Sequence, residues 1–155
     1  MKLNTPITTI VTLAIALTLS LSAFGQIHTW LGGAGYWDDP AMWDNGVPVT
    51  GCEAVLASGD ITITNASAAL GQFLMSGGTL EFAGGTTAVV RATDITITGG
   101  IVRHAQHAAR AKVDGEWLVE ARVYFACSNF FLLSPGLIDV NQRGWGGQLT
   151  GNTTF

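Results

Sequence analysis

The chain has 155 residues, of which 48% are hydrophobic and 12% are charged, and its formal net charge at pH 7 is −4. Such a low charge content, together with many β-branched residues, argues against an intrinsically disordered chain. The acidic balance also argues against nucleic acid or anionic lipid as a partner, because both are negatively charged.

Residues 1–25 have the composition of a secretory signal peptide. Lys2 supplies a positive start, residues 7–21 are mainly apolar, and small residues at Ala23 and Gly25 precede the expected cleavage before Gln26. The apolar run is shorter than the roughly 20 residues that a membrane-spanning helix needs. We therefore expect a secreted or extracellular protein with no membrane insertion after cleavage, and an uncleaved anchor is the alternative.

Residues 26–58 form a segment rich in tryptophan and glycine, centred on "TWLGGAGYWDDPAMWDNGVP". Trp30, Trp37 and Trp43 can each bury a large area, while the glycines allow a tight backbone path. An open stack of strands needs cover at its first edge, because unpaired edges aggregate. We predict that this segment is an N-terminal aromatic cap.

From residue 59 onward the sequence alternates apolar and polar residues in short segments bounded by glycine, such as "GDITIT", "GGTLEFAGG" and "GEWLVEARVYFA". Period-two alternation indicates strands. The predicted strand centres suggest a unit of roughly 20 residues, and they lie at Thr62, Leu80, Thr96, Val102, Leu118, Val123 and Ile138.

This pattern predicts an all-β fold in which residues 59–155 wind as a β-solenoid. "DITIT" occurs at 60–64 and at 94–98, and "GG" precedes both Thr79 and Ile101, as if similar contexts recur. Each coil of a solenoid covers the apolar row of its neighbour. An antiparallel β-sandwich, which also uses many short strands, is the alternative fold.

The quoted segments resemble those of large secreted bacterial surface proteins of the right-handed parallel β-helix type, with pectin-lyase-like folds. The tryptophan segment "W…G..W.D...W..G..P" and the segments "DITITGGIVRHA" and "GLIDVNQRGWGG" carry this resemblance. It implies a right-handed parallel β-helix of the adhesin or autotransporter kind. Proteins of this type are commonly longer, so we expect the coils to continue beyond residue 155.

The tryptophan segment also contains candidate binding residues. Exposed aromatic rings beside aspartates stack on sugars and bind their hydroxyls, so a glycan contact is an alternative use for Trp30, Tyr36, Trp37 and Trp43, with Trp145 as a further candidate. Carboxylates are also ligands for calcium, which makes Asp38, Asp39 and Asp44 weak candidates for that ion. Aspartates beside proline and glycine more often cap turns.

The two cysteines, Cys52 and Cys127, could form a disulfide in an extracellular protein, or Cys127 could be a buried free thiol. His104 and His107 lie in the basic stretch "RHAQHAARAK", which we interpret as a solvated turn. Glu81, Asp94, Glu116 and Glu120 are the carboxylates available to a polysaccharide lyase or glycoside hydrolase, but no pair has a recognisable spacing.

The sequence therefore favours a non-catalytic structural or adhesion module of the cell surface, with no cofactor. A carbohydrate-binding module using the tryptophan segment is the second hypothesis, and a polysaccharide-degrading enzyme is the third. The first two imply polysaccharides or cell-surface glycans as partners, while the oligomeric state is left open by the sequence.

Overall fold

The computed structural model describes residues 25–106, 112–113, 116–117 and 122–141. These residues form one short 3-10 helix, Pro40–Met42, and strands β1 (Ile27–Thr29), β2 (Ala34–Tyr36), β3 (Glu53–Leu56), β4 (Asp60–Ile63), β5 (Ala66–Phe82), β6 (Val89–His104), β7 (Lys112–Val113), β8 (Glu116–Trp117), β9 (Phe125–Leu132) and β10 (Leu137–Ile138).

The strands stack in parallel as a β-solenoid of about four turns. Every strand pair of the main sheet is parallel, and the described residues contain one antiparallel strand pair, between β7 and β8. A sandwich of antiparallel sheets would show the opposite pattern, so the structure confirms the predicted solenoid.

The middle coils have three faces, because β5 and β6 are long strands that bend at two corners, whereas the first coil has strands on faces 1 and 2 only. Face 1 stacks β1, β3, residues 72–75, residues 94–97 and residues 129–132. Face 2 stacks β2, β4, residues 79–82, residues 101–104 and β10. Face 3 stacks residues 66–70, 89–92 and 125–127.

The interior is filled by the alternate side chains that point inward from each layer. The inward residues of neighbouring layers lie over one another and are completely buried; they are Ala54, Phe73 and Ile95, then Leu56, Met75 and Ile97, then Ile61, Leu80 and Val102. This burial is the main stabilising contribution, at about 25 cal/mol for each Å² of apolar surface removed from water.

A column of glycines forms the corner between face 1 and face 2. Gly33, Gly59, Gly78 and Gly100 each precede the first residue of a face 2 strand, and all four have a φ between 75° and 90°. A Cβ at any of the last three would collide with the backbone of the glycine one layer earlier. The predicted recurrence of "GG" before Thr79 and Ile101 is part of this column.

The predicted repeat length of roughly 20 residues is correct for the middle coils only. On face 1 the stacked residues are Ile27, Glu53, Gln72, Asp94 and Asn129, with separations of 26, 19, 22 and 35 residues. The first coil is longer because it includes the tryptophan segment, and the last is longer because the chain from 105 to 124 lies between its strands.

Two details of the predicted repeat are wrong. The two "DITIT" segments do not stack on each other, because Asp60 lies on face 2 beside Thr79, whereas Asp94 lies on face 1 beside Gln72. The strand centre predicted at Val123 is wrong, because Val123 lies outside any strand and β9 begins at Phe125. Leu118 lies outside the described residues. Among the described residues, no helix is long and apolar enough to cross a lipid bilayer.

Candidate functional site

The tryptophan segment lies at the N-terminal end of the solenoid. Trp30, Trp37 and Trp43 are only 3%, 4% and 3% exposed, and they belong to the same apolar cluster as the interior of the coils. The structure therefore brings the three predicted tryptophans together in the interior.

The three indole rings pack edge to face. The centroid of the Trp43 ring lies 5.2 Å from that of Trp30 and 5.1 Å from that of Trp37, with interplanar angles of 81° and 68°. Trp37 also lies 5.8 Å from Phe73, two layers further along the solenoid. This arrangement is favourable because the positive edge of one ring meets the negative face of the next.

Residues 42–46 form a strap along the free edge of β1. Asp44 donates its backbone N–H to the Thr29 carbonyl, at 3.0 Å, and its Oδ1 accepts from the Thr29 N–H, at 2.7 Å. The Asn45 amide donates to the Ile27 carbonyl, at 2.9 Å, and Leu31 donates to the Met42 carbonyl, at 3.0 Å. The strap thus satisfies the Thr29 N–H and the carbonyls of Thr29 and Ile27 at the outer edge of β1.

A buried histidine links the strap to the interior. His28 is 2% exposed, and its Nδ1 lies 2.7 Å from the Gly46 carbonyl oxygen, so Nδ1 carries the proton and donates to it. Among the described residues, His28 Nε2 and Trp37 Nε1 are buried without a hydrogen-bond partner. Neither His28 nor Asn45 was singled out by the sequence; the "WDNG" turn that follows Trp43 is the signal that could have indicated a fold-back.

The aromatic residues predicted to contact glycans differ in burial: one is exposed and three are buried. Tyr36, at 58% exposed, presents its ring to solvent, while the three tryptophans do not present theirs. Exposed Asp38 lies two residues after Tyr36. Stacking on a sugar requires an open ring face, so Tyr36 is the residue of this set that the fold leaves available, whereas Trp145 lies outside the described residues.

The three aspartates of the segment serve as hydrogen-bond acceptors or lie in solvent. Asp39 caps the 3-10 helix, with its Oδ1 2.9 Å from the Ala41 N–H, and Asp44 anchors the strap. Within the described ranges, no three histidine, cysteine, aspartate or glutamate side chains come together as they would to hold a metal ion. The weak calcium prediction for Asp38, Asp39 and Asp44 thus gains no support from their placement.

Cys52 and Cys127 are both free thiols in this structure. Cys127 aligns with Ala92 and Ala92 with Leu70, while Gly71 donates to the Cys52 carbonyl, so the two cysteines lie three layers apart. At about 4.8 Å per layer this is about 14 Å, twice the distance that a disulfide can bridge. Cys52 is buried, and that burial raises the pKa of its thiol. Cys127 is exposed, so the alternative that it is a buried free thiol is wrong.

The remaining sequence candidates that the structure describes lie on different faces of the solenoid. His104 ends β6 and is 9% exposed, so it is not part of a solvated turn, and His107 lies outside the described residues. Glu81 pairs with Arg103 on face 2, with 2.8 Å between Oε2 and Nε, whereas Asp94 accepts from Asn129 on face 1, at 2.7 Å. Glu116 lies in β8, and Glu120 lies outside the described residues.

Comparison of the chain with protein-family models, with curated proteins and with solved structures found no match.

Proposed function

We propose that this chain is a non-catalytic structural module of a secreted or cell-surface protein of the β-helix type, comprising the N-terminal cap and the first coils and serving adhesion or display. The observation that supports this proposal is the strap at residues 42–46, which satisfies the edge of β1 above an interior sealed by three tryptophans. A protected first edge allows a stack of strands to begin in water without pairing with other chains.

The module acts by holding surfaces at fixed positions. Its layers are joined by parallel ladders, and its interior rows are fully buried, so each coil supports the next. Its turns, such as the one at residues 84–87, in which Thr86 and Thr87 are exposed, project from this support. Loops that are carried on a rigid scaffold are where partners commonly bind.

Display is tested by inserting a short epitope between Gly85 and Thr86. We expect cells that produce the protein to present the epitope outside the cell, or in the secreted product, with the melting temperature of the protein changed by only a few degrees. The same epitope inserted after Gly78, at the glycine corner, is the control that should disrupt the fold. An epitope at residue 85 that stays inaccessible in folded, exported protein would contradict the proposal.

Export is the part of the proposal that depends on residues 1–25. Fusion of this segment to a reporter enzyme should send the reporter out of the cytoplasm with a new N-terminus at Gln26. Replacement of two leucines of the apolar run by aspartate is the control, because it removes the hydrophobic character that a signal peptide needs. A reporter that remains in the cytoplasm with its full N-terminus would rule out this localisation.

A carbohydrate-binding module is the second candidate, and the exposed ring of Tyr36 beside Asp38 is the observation that favours it. It predicts retention of the exported protein on an insoluble or arrayed polysaccharide, and loss of that retention in Tyr36→Ala with the stability unchanged. The structural proposal instead predicts that Tyr36→Ala leaves any such retention as it was.

A further inference from the structure

The strap at residues 42–46 contains an asparagine that is followed directly by a glycine. The chain has six asparagines, and Asn45 is the one that precedes a glycine, Gly46. Such a pair is chemically reactive, because glycine has no side chain that would hinder attack by its backbone nitrogen on the preceding side-chain amide. Asn45 is exposed to solvent, so water and base can reach this amide. The strap therefore carries the asparagine amide of this chain that is intrinsically the easiest to hydrolyse.

The reaction needs no co-reactant other than water. The Gly46 nitrogen loses its proton and attacks Cγ of Asn45, so that a new C–N bond forms, the bond from Cγ to Nδ2 breaks, and Nδ2 takes up a proton and leaves as ammonia. The product is a five-membered cyclic imide, which water opens at either of its two carbonyls. Opening at one carbonyl gives aspartate, and opening at the other gives isoaspartate, in which the main chain runs through the side chain. A neutral amide is replaced by a carboxylate in both cases.

The folded strap holds both reacting groups in hydrogen bonds. Asn45 Nδ2 donates to the Ile27 carbonyl, at 2.9 Å, which fixes the amide against β1. The Gly46 N–H donates to the Trp43 carbonyl, at 3.5 Å, and the Gly46 carbonyl accepts from the buried His28 Nδ1, at 2.7 Å. Ring closure removes Nδ2 and brings Cγ to the Gly46 nitrogen, so it requires these contacts to break. The amide is therefore protected for as long as the strap stays on the edge of β1.

Both products remove the contact that residue 45 makes with β1. The Asn45 amide donates to the Ile27 carbonyl, whereas a carboxylate can only accept, so two acceptors would face each other. The carboxylate of Asp44, next in sequence, adds like-charge repulsion. Isoaspartate also lengthens the main chain by one carbon, which moves the Gly46 carbonyl away from His28 Nδ1. The modified strap would thus release the edge of β1.

We propose that Asn45 is a deamidation site at which opening of the strap becomes irreversible. The amide survives while the strap is closed, and it undergoes ring closure when the strap opens. The carboxylate that forms then prevents the strap from returning to β1. This modification goes beyond the structural role proposed above, since the strap would protect β1 in that role whether or not residue 45 is ever modified.

Peptide mass spectrometry of the protein kept in mildly alkaline buffer measures deamidation at residue 45. We expect it to be at least about tenfold slower in the native protein than in guanidinium chloride, because local opening limits it, and faster in native Asp44→Ala than in the parent. The control is Gly46→Ala, whose Cβ meets open space and which should react slowly even in the denaturant. Asn65, which is exposed and precedes an alanine, is the internal reference that should stay an amide. Equal rates in buffer and denaturant, or an Asn45 that stays an amide in both, would overturn the proposal.

Hydrogen exchange of Asn45→Asp, which has the aspartate product from the start, tests the consequence of the modification. The Asp44 N–H donates to the Thr29 carbonyl in the closed strap, and we expect peptides that contain it to exchange at least about tenfold faster than in the parent. Residues 94–97 of β6 should exchange as before, which shows that the variant is folded. Asn65→Asp adds the same charge at another exposed asparagine and should leave the strap unchanged. Exchange of the strap in Asn45→Asp at the rate of the parent would contradict the proposal.

Discussion

At the scale of single residues, the glycine corner shows how backbone conformation and packing act together. Gly78 has a φ of 75°, and the space where a Cβ would lie is occupied by the backbone of Ser58 and Gly59. Gly46 has nearly the same φ, 74°, but has open space at that position. Substitution of Gly46 should therefore show only the free-energy cost of the left-handed backbone, whereas substitution of Gly78 should add the cost of a steric collision.

Alanine substitution should distinguish these two costs. We expect Gly46→Ala to lower the free energy of unfolding by about 1 kcal/mol, the cost of a left-handed backbone for a residue with a Cβ. Gly78→Ala should cost clearly more, because the main chain of one layer must also move away from the next. Urea unfolding of both variants measures the difference, and equal effects would show that the layers are not in close contact at this corner.

The tryptophan cluster predicts that truncation of Trp37 lowers the stability strongly and that truncation of the neighbouring Tyr36 does not. Trp37→Ala should lower the free energy of unfolding by about 3 to 5 kcal/mol, as truncation of a buried aromatic side chain does. Tyr36→Ala, at the exposed neighbour, should change it by less than about 1 kcal/mol. Urea denaturation followed by circular dichroism is the measurement. A stable Trp37→Ala protein would mean that the cluster does not seal the interior.

The two thiols should differ in their reactivity. Cys127 is exposed, whereas Cys52 is buried, and the raised pKa of its thiol leaves less of the reactive thiolate at any given pH. We expect a thiol reagent at pH 8 to modify Cys127 at least tenfold faster than Cys52 in the native protein, and both equally in urea. Intact mass and peptide mapping report this. A protein 2 Da lighter with no reactive thiol would instead contain the disulfide.

At the scale of elements, the strap at residues 42–46 protects the edge of β1 through several hydrogen bonds rather than through any single side chain. Asp44 contributes both its backbone and its side chain to the edge of β1, and Asn45 adds a third contact. The edge is then a paired one, although β1 itself is only three residues long. A weaker strap would expose that edge to other chains.

Removal of the Asp44 carboxylate should therefore promote association through the N-terminal end. We expect Asp44→Ala to lower the free energy of unfolding by about 1 kcal/mol, the typical net value of one hydrogen bond, and to increase light scattering on storage. Asp38→Ala, an exposed aspartate of the same segment, is the control and should do neither. If both variants aggregate alike, loss of negative charge rather than loss of the strap is the cause.

The sequence predicts that the tryptophan segment forms a cap, but it does not predict the contacts that hold the cap in place. Three tryptophans beside glycines indicate a need for large buried side chains and a tight path, and their burial agrees with that indication. The partners of Asp44 and His28 lie 15 and 18 residues away in sequence. A contact at that separation depends on how the loop folds back, and no local pattern encodes it.

At the scale of the whole molecule, the described solenoid is a one-dimensional array in which each layer forms its backbone ladders with the layers next to it. Stability in such arrays is approximately a sum of layer and interface contributions. A destabilising substitution at one end should thus lower the local stability most in the nearest layers. The contact between the Trp37 and Phe73 rings, two layers apart, shows how far the cap extends directly into the stack.

Hydrogen exchange of the Trp37→Ala variant should show this decay. We expect amide exchange to accelerate most in β3 and β4, and least in residues 94–97 of β6, because the latter are remote from the cap and are paired with layers on both sides. Mass spectrometry of peptides from the exchanged protein gives the comparison. Equal acceleration everywhere would mean that the molecule opens only as one cooperative unit.

The fold class followed from period-two alternation because inward and outward positions in a strand are set locally. Ile61, Ile63, Ile95 and Ile97 are all buried, as the two "DITIT" segments predict. Their assignment to different faces could not be predicted, because the face depends on where the corners fall. The length of the last coil could not be predicted for a similar reason: Asp94 pairs with Asn129, 35 residues later, and no local pattern in the sequence indicates that this coil is longer than the others.

The glycine corner has a consequence for how such a protein changes over evolutionary time. Layers are brought into register by the corner and by the ladders, while coils of 19 and of 35 residues are accepted in the same stack. Insertions that leave the corner untouched can therefore accumulate in the turns without a shift of register. Related sequences would diverge in length long before they diverge in architecture, and they would be recognised by the spacing from glycine to strand rather than by a constant period.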